Sequence, residues 1–393
     1  MRQEWTACTL GDVLTLQRGF DLPSRERRDG AVPIVSSSGI TGYHNTAKVK
    51  WPGVITGRYG TLGEVFYIEQ DYWPLNTTLY VRDFKGNHPR FVSYFLRTLD
   101  LASQDAAGAV PGVNRNHLHM MAVRVPPLSI QRKIAAVLST YDSLIENNAR
   151  RIAILEEMAQ ALYREWFVHF RFPGREEVPM VESALGLVPE GWEVQPLTAA
   201  VMVDPATKIP KEGDKPFVPM GSLSSNSMII RDVESRTGNS GSKFRNSDTL
   251  FARITPCIEN GKTGFVQFLP TETAAAFGST EFIVLRSRTL RPEYVYLLAR
   301  SSELRDTAIK SMTGATGRQR VQPAAFGSFL FAHPDATTLA RFEVFVRPVF
   351  QQVHVLALKN DNLRSTRDLL LPKLISGELY VEELDIATME ADV

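Results

Sequence analysis

The run from Ile130 to Phe167 reads IQRKIAAVLSTYDSLIENNARRIAILEEMAQALYREWF and contains neither glycine nor proline. Leu138, Ile145, Ile152 and Ala159 recur in it every seven residues, and Tyr141, Asn148, Leu155 and Leu162 follow them three positions on. This is an a/d seam, so the spacing predicts one long helix that must bury a stripe against a partner. At 1.5 Å per residue the helix is on the order of 50 Å long. Pro126-Pro127-Leu128-Ser129 stops what precedes it, and Ser129 is the expected cap of the first turn.

The partner is in the same chain. From about Thr338 to Leu374 a second apolar-periodic segment places Val349, Val353, Leu356, Asn360, Leu363, Leu370 and Leu374 on one stripe. Asn148 and Asn360 fall at equivalent points of the two segments, and a lone Asn in an apolar seam fixes register. We expect an intramolecular antiparallel coiled coil; the plainer alternative is two ordinary core helices, each of its own domain. Pro348 should kink the second helix or end a first short piece of it, and Pro372 should do the same near its end. The start of this helix, near His333-Pro334-Asp335-Ala336-Thr337-Thr338-Leu339, is not fixed by the sequence.

Outward from the helices, the chain says nearly the same thing twice. Trp5 opens W-T-A-C-T-L-G-D-V, and Gly191-Trp192 opens G-W-E-V-Q-P-L-T-A-A-V. Each opening is followed by short β-branched and aromatic runs separated by turn signals, a basic glycine-containing loop, a helix and a second glycine-rich loop. The helices align as His88–Leu96 against Arg291–Leu298, and the later loops as Gly108–Arg115 against Gly314–Arg320. A repeat this long means two similar domains rather than a solenoid. The reading is a mixed α/β (α+β) chain: two similar globular domains held apart by two long antiparallel helices and related by a pseudo-two-fold axis. The expected segments are a first domain over 1–128, a spacer helix over 129–170, a linker over 171–190, a second domain over 191–334, a second spacer helix over 335–380 and an acidic tail over 381–393.

At 393 residues the length suits two domains with their own cores. A hydrophobic content of 44% and a charged content of 22% are ordinary for globular protein. No apolar run is long enough to span a bilayer and Met1 to Leu10 is polar and mixed, so a cytoplasmic location is expected. Cys8 and Cys257 are too few for a disulfide framework or a cysteine zinc site. The net charge of +1 hides an uneven distribution. Glu382, Glu383, Asp385, Glu390 and Asp392 crowd the tail, while Arg18, Arg25, Arg27 and Arg28 form one basic cluster and Arg286, Arg288, Arg291, Arg300, Arg305, Lys310, Arg318 and Arg320 another. Solvated surface is the rival reading for either cluster.

Catalytic motifs are not found. Gly261-Lys262-Thr263 looks like the end of a phosphate-binding loop, but Pro256 stands where the first glycine of that loop is needed. His117 and His119 are two apart, which on a strand puts both on one face, yet no third metal ligand is near. No G-x-S-x-G, no H-E-x-x-H, no amino-methyltransferase tetrapeptide of the Asn/Asp-Pro-Pro-aromatic type and no Pro-Asp nuclease pattern occurs.

Three stretches then point to a family. Val125-Pro126-Pro127-Leu128-Ser129-Ile130-Gln131-Arg132-Lys133-Ile134 with Tyr141–Ile145, Tyr163-Arg164-Glu165-Trp166-Phe167 with Phe170-Arg171-Phe172, and Leu371-Pro372-Lys373-Leu374-Ile375-Ser376-Gly377-Glu378-Leu379 resemble the helical regions of specificity subunits of type I restriction–modification enzymes. The resemblance covers almost the whole chain, including the order of elements. It implies two target-recognition domains, each reading one half of a split double-stranded DNA sequence. The helices would set the spacing and dock two modification (methyltransferase) subunits. The resemblance also implies that the chain itself is not catalytic and holds no cofactor. S-adenosylmethionine, ATP and Mg belong to the modification subunits and to restriction (translocase/endonuclease) subunits. Rival readings are the recognition subunit of a related system with a fused restriction–methylation partner, a degenerate methyltransferase, and a coiled-coil adaptor. The last leaves two matching Arg-bearing glycine loops unexplained.

Bases are read in the grooves while phosphate contacts hold register. The leading loop of the first repeat is Thr56–Gly63, where Arg58, Tyr59 and Thr61 join an arginine fork to hydroxyls and small residues. Tyr43, His44, Asn45, Lys48 and Lys50 precede it and continue the expected surface. In the second repeat Arg253 and Thr255, with Lys262 and Thr263, occupy the matching place. The later loops supply Asn114, Arg115 and Asn116 in one half and Thr316, Arg318, Gln319 and Arg320 in the other. For each residue taken singly, the alternative is a surface turn.

Overall fold

The computed structural model describes residues 5–101, 112–315, 317–381 and 384. The chain forms two compact units, one of Met1–Glu146 with Asp361–Val393 and the other of Asn147–Asn360. Two long helices, Leu128–Tyr163 and Ala336–Ser376, each contribute a piece to both units.

In the first unit a four-stranded antiparallel sheet has the order Thr15–Arg18, Thr78–Asp83, Gly53–Gly57, Val65–Ile68. A three-stranded sheet of Gly39–His44, Val32–Ser36 and Trp73–Pro74 accompanies it, and Thr6–Thr9 pairs with Ala122–Val125. The helix Pro89–Thr98 buries Phe91, Val92, Tyr94, Phe95 and Leu96 in one core with Ile130, Ile134, Leu138, Leu374 and Ile375 from the long helices. Asp142 Oδ1 accepts from Arg367 at 2.7 Å, and its Oδ2 accepts from the buried Tyr94 hydroxyl at 2.6 Å, so one carboxylate ties both helix pieces to the domain.

The second unit repeats the plan. Its central sheet has the order Val201–Val203, Phe282–Ser287, Thr249–Ala252, Thr263–Phe265, all antiparallel. A second sheet holds Glu234–Arg236, Lys215–Val218, Ala275–Gly278 and Ser242–Arg245, and Glu193–Pro196 pairs with Leu330–His333. The helix Pro292–Arg300 packs where Pro89–Thr98 does in the first unit. Beneath the central strands Arg286 donates twice to Asp248, at 2.6 and 2.7 Å, with both side chains almost wholly buried.

The seam is real in both units. Leu138 is fully buried, as are Val353 and Leu356, and Ile152 and Ala159 nearly so. Each such side chain contributes roughly 1.5–3 kcal/mol when it is large and aliphatic. Within the second unit Asn148 donates to Asn360 at 2.9 Å, and Trp166 meets Phe342 with ring centroids 5.7 Å apart. The partner number falls as the position rises, so the helix pieces run antiparallel.

Neither proline ends the second helix. Pro348 and Pro372 lie inside Ala336–Ser376. Each lacks an N–H toward the carbonyl four residues back, at Val344 and Asp368. Val344 is 70% exposed and the Asp368 side chain 61% exposed, and both prolines are exposed, so each lies on the solvent side of the helix rather than in its seam. The start of this helix is also fixed: Asp335 accepts from the amides of Thr337 and Thr338 and from the Trp192 indole. The first helix begins at Leu128, a residue earlier than a Ser129 cap allows. Gln131 does the anchoring there instead, accepting from His88 N and donating to Asn87 and to the Pro126 carbonyl while 2% exposed. The segment 171–190 is not an open linker but part of the second unit: Phe172 and Val188 enter its core, and Met180–Ser183 forms a hairpin with Gly186–Pro189.

Candidate nucleic-acid interface

In the first unit the strand Gly53–Gly57 runs out into Arg58-Tyr59, where two loops are clasped together. Arg58 N donates to Thr77 O at 2.8 Å, Val113 N donates to Arg58 O at 3.0 Å, and Tyr59 bridges to Gly112. A Cβ at Gly112 would lie 2.2 Å from the Tyr59 ring, so this close approach requires glycine. The Arg58 guanidinium lies 4.5 Å over the Tyr59 ring and donates to its hydroxyl at 3.3 Å. Beside the clasp is a cleft of about 930 Å³ lined by Gln17, Arg18, Arg58, Tyr59, Arg82 and Arg115, among others. Arg18 is 3.9 Å from Asp21, and Arg82 reaches Gln17 at 3.4 Å. Four guanidinium groups in one open cleft make a site for phosphate oxygens or for the O6/N7 edge of guanine.

The structure brings Arg58, Tyr59 and Arg115 together, as the sequence suggests. Asn114 Oδ1 accepts from Asn116 N and caps the short helix Arg115–His119. Its acceptor is therefore engaged, while Arg115 and Asn116 remain exposed. Tyr43, Asn45, Lys48, Lys50 and Thr61 are exposed but do not line the cleft, and Lys48 sits 5.1 Å over the Trp73 ring. His44 is overturned as a contact residue: it is 6% exposed, stacks edge-on to Trp73 and accepts from Arg28 N through Nδ1. His117 and His119 lie on a helix and not on a strand. His119 Nε2 accepts from Leu16 N, and burial pushes its pKa down.

The second unit builds the same clasp. Arg253 N donates to Glu281 O at 3.0 Å, Val321 N donates to Arg253 O at 2.8 Å, and Ile254 bridges to Arg320. This equates Val113 with Val321 and Gly112 with Arg320, two positions away from the alignment of the glycine loops by sequence. Glycine spacing misled there because Gly314, at φ +124°, serves the turn that returns Thr313 to Arg320. The adjoining cleft, about 470 Å³, is lined by Asp204, Thr207, Lys243, Arg253 and Thr280, with others.

Several expected contacts here are already engaged. Arg253 Nη2 donates to Val321 O at 2.9 Å, and its Nε is buried without a described partner, as is Thr255 Oγ1. Lys262 Nζ donates to Met220 O at 3.3 Å. Thr263 is 2% exposed within a central-sheet strand, its hydroxyl turned to Gly261 O, and so cannot touch DNA. Arg320 forms a two-pronged pair with Glu281, 2.9 Å from Nε to Oε2 and 2.7 Å from Nη2 to Oε1. That hydrogen bonding lowers the Glu281 pKa and raises that of Arg320. Arg318 is exposed and Gln319 partly so, while Thr316 lies outside the described residues. The basic cluster of this half also disperses: Arg286 is buried on Asp248, Arg291 pairs with Glu343, and Arg300 donates to the carbonyls of Ser225 and Gly261.

Sequence reading missed Gln17 and Arg82 in the first cleft and Lys243 and Thr207 in the second. Arg82 lies at an irregularity of the ladder between Thr15–Arg18 and Thr78–Asp83, where simple strand alternation gives no signal. Among the described residues no group of three or more His, Cys, Asp or Glu gathers to hold a metal, and no helix is long and apolar enough to cross a membrane.

Residues 2–157 match the type I restriction modification DNA specificity domain. The chain is 25% identical over 314 residues to the type I restriction enzyme MjaIX specificity subunit of Methanocaldococcus jannaschii, covering 75% of this chain and 70% of that one. It is 30% identical over 161 residues to the EcoEI specificity subunit of Escherichia coli, covering 39% of this chain and 27% of that one. The fold is that of the crystal structure of the type I restriction-modification S subunit from M. genitalium, with a TM-score of 0.60 at 14% identity over 95% of this chain and 96% of that one. A duplicated clasp-and-cleft domain and a pair of long seamed helices accompany these matches: residues 2–157 carry the likeness to the DNA specificity domain, and the chain is similar to type I restriction–modification specificity subunits.

Proposed function

We propose that each unit reads one half of a bipartite double-stranded DNA target, the first through the cleft around Arg58 and the second through the cleft around Arg253. One observation carries this reading. The same clasp is built twice, with an arginine at the same ladder position and a cleft at the same place beside it. Two copies of one reading surface suit two specific blocks separated by an unread gap, with the long helices as the ruler. The helices also offer exposed apolar side chains, Ile154 and Met158 on one and Val344, Phe345, Val355 and Leu358 on the other, where modification subunits can dock. Methyl transfer from S-adenosylmethionine and ATP- and Mg-dependent cleavage then belong to the partner subunits, and this chain supplies the address.

The test is a domain exchange in the assembled methyltransferase. Replacing residues 1–128 with the corresponding domain of a relative should alter one half of the methylated sequence, read by methylome sequencing. A change in both halves together overturns the modular reading.

A further inference from the structure

The two clasps differ at one pair of positions. Thr77 of the first unit corresponds to Glu281 of the second, since each offers its carbonyl to the amide of the clasp arginine. Gly112 corresponds to Arg320, since each bridges to the residue after that arginine. The second unit has thus gained an arginine fork on its clasp together with a carboxylate that fills the fork.

We propose that Glu281 is a specificity-determining residue that holds Arg320 away from arbitrary DNA phosphates. The geometry supports this directly. Glu281 takes the Nε/Nη2 edge of Arg320, the edge on which a guanidinium grips a phosphate with two parallel hydrogen bonds. The Arg320 side chain is 44% exposed and the Glu281 side chain 22%, so a ligand can reach the pair and compete for it. Exposed pairs of this kind open readily. Opening this one toward a phosphate, however, strands a carboxylate beside the DNA backbone. Only a base edge that donates an amino hydrogen, as cytosine and adenine do in the major groove, leaves Glu281 satisfied. Arbitrary DNA is therefore disfavoured at this clasp, while the first unit has Thr77 and Gly112, neither of them charged, at the two matching positions.

The inference rests on the proposal that this face meets DNA, and the experiment separates the two. Binding of the full chain to a duplex of scrambled sequence is measured over a series of salt concentrations. Glu281→Gln should bind that duplex about three- to fivefold more tightly at low salt, with a salt slope steeper by about 0.9, the increment for one further phosphate contact. The double variant Glu281→Gln/Arg320→Gln should return the slope to that of the unaltered chain. Thermal unfolding identifies any variant that is not folded, and Glu281→Ala then replaces Glu281→Gln. An unchanged slope or weaker binding by the folded variant overturns the role of Glu281. If Lys243→Ala, in the cleft beside the clasp, also leaves binding of the duplex unchanged, the DNA-facing assignment falls with it.

Discussion

In the first unit the arginine at the mouth of the cleft lies on the Tyr59 ring, whereas in the second Arg253 is turned back onto the carbonyl of Val321. The backbone around the two residues is the same, so the difference lies in the side chains packed on the clasp. The exposed Tyr59 ring supports the guanidinium and takes only one long hydrogen bond from it, at 3.3 Å, through a hydroxyl that can move with it. A carbonyl uses a donor and fixes the side chain as part of the fold. The same clasp can therefore present an arginine to a ligand or spend it on holding a loop, and the neighbouring residue decides which.

The largest expected effect lies under the second cleft. Asp248→Ala leaves Arg286 buried and unpaired, and should destabilise the second unit by about 3–5 kcal/mol in denaturant unfolding. The most buried described pair of the first unit, Asp142–Arg367, is 22% exposed on both sides. Asp142→Ala should therefore cost less, about 1.5–3 kcal/mol. Equal losses would mean that the two units rest on comparable ion pairs.

Next come the clasp arginines. Arg58→Ala should weaken binding of the cognate duplex by about 1–3 kcal/mol if it reads a base, with specificity relaxed at that position. If it grips a phosphate, all sequences weaken and the salt slope drops by about one. Arg253→Ala should lower the melting temperature of the second unit and change DNA affinity less than Arg58→Ala does. A larger binding loss for Arg253→Ala reverses the comparison.

The helix seam gives a smaller effect. A double-mutant cycle on Asn148→Ala and Asn360→Ala should return a coupling of about 1 kcal/mol, since the two amides share one hydrogen bond. Additive losses would show that neither relies on the other for register.

The smallest effect is a pH slope that should be steeper in the first unit. His88 Nδ1 accepts from Phe91 N and His119 Nε2 from Leu16 N, and burial lowers both pKa values. A histidine held below its unfolded pKa of about 6.5 contributes stability above that pH, and loses it as the pH falls through the folded value. In the second unit His354 alone shows the same lowered direction among the described residues. Unfolding midpoints at pH 7.5 and 5 should drop more in the first unit, and His119→Gln should flatten that drop. A steeper drop in the second unit would contradict the assignment.

The helical half of the molecule was legible because it obeys a period. The residues chosen from the heptad pattern are the ones that pack, and two asparagines picked as register markers form one hydrogen bond. Neither proline ended the second helix, because a proline on the solvent side of a helix costs mainly the hydrogen bond it cannot make, and periodicity does not weigh that cost. In the cleft, Arg58 and Arg115 were legible as cationic residues in glycine-containing loops. His44 and Thr263 were not, because residue type does not tell which face of a short strand is covered, and both sit in strands with covered faces. Arg320 and Arg286 looked like free charge because their carboxylate partners, Glu281 and Asp248, lie 39 and 38 residues away in sequence.

The clasp also separates two kinds of variation. Because the chain is pinned to Arg58 at Val113 and to Tyr59 at Gly112, exposed side chains beside this frame can change without shifting Arg58. A lineage can therefore revise the exposed side chains around the clasp while the frame that aims Arg58 stays fixed. On the proposed reading, new target sequences then become reachable through small heritable steps, none of which requires the domain to be rebuilt.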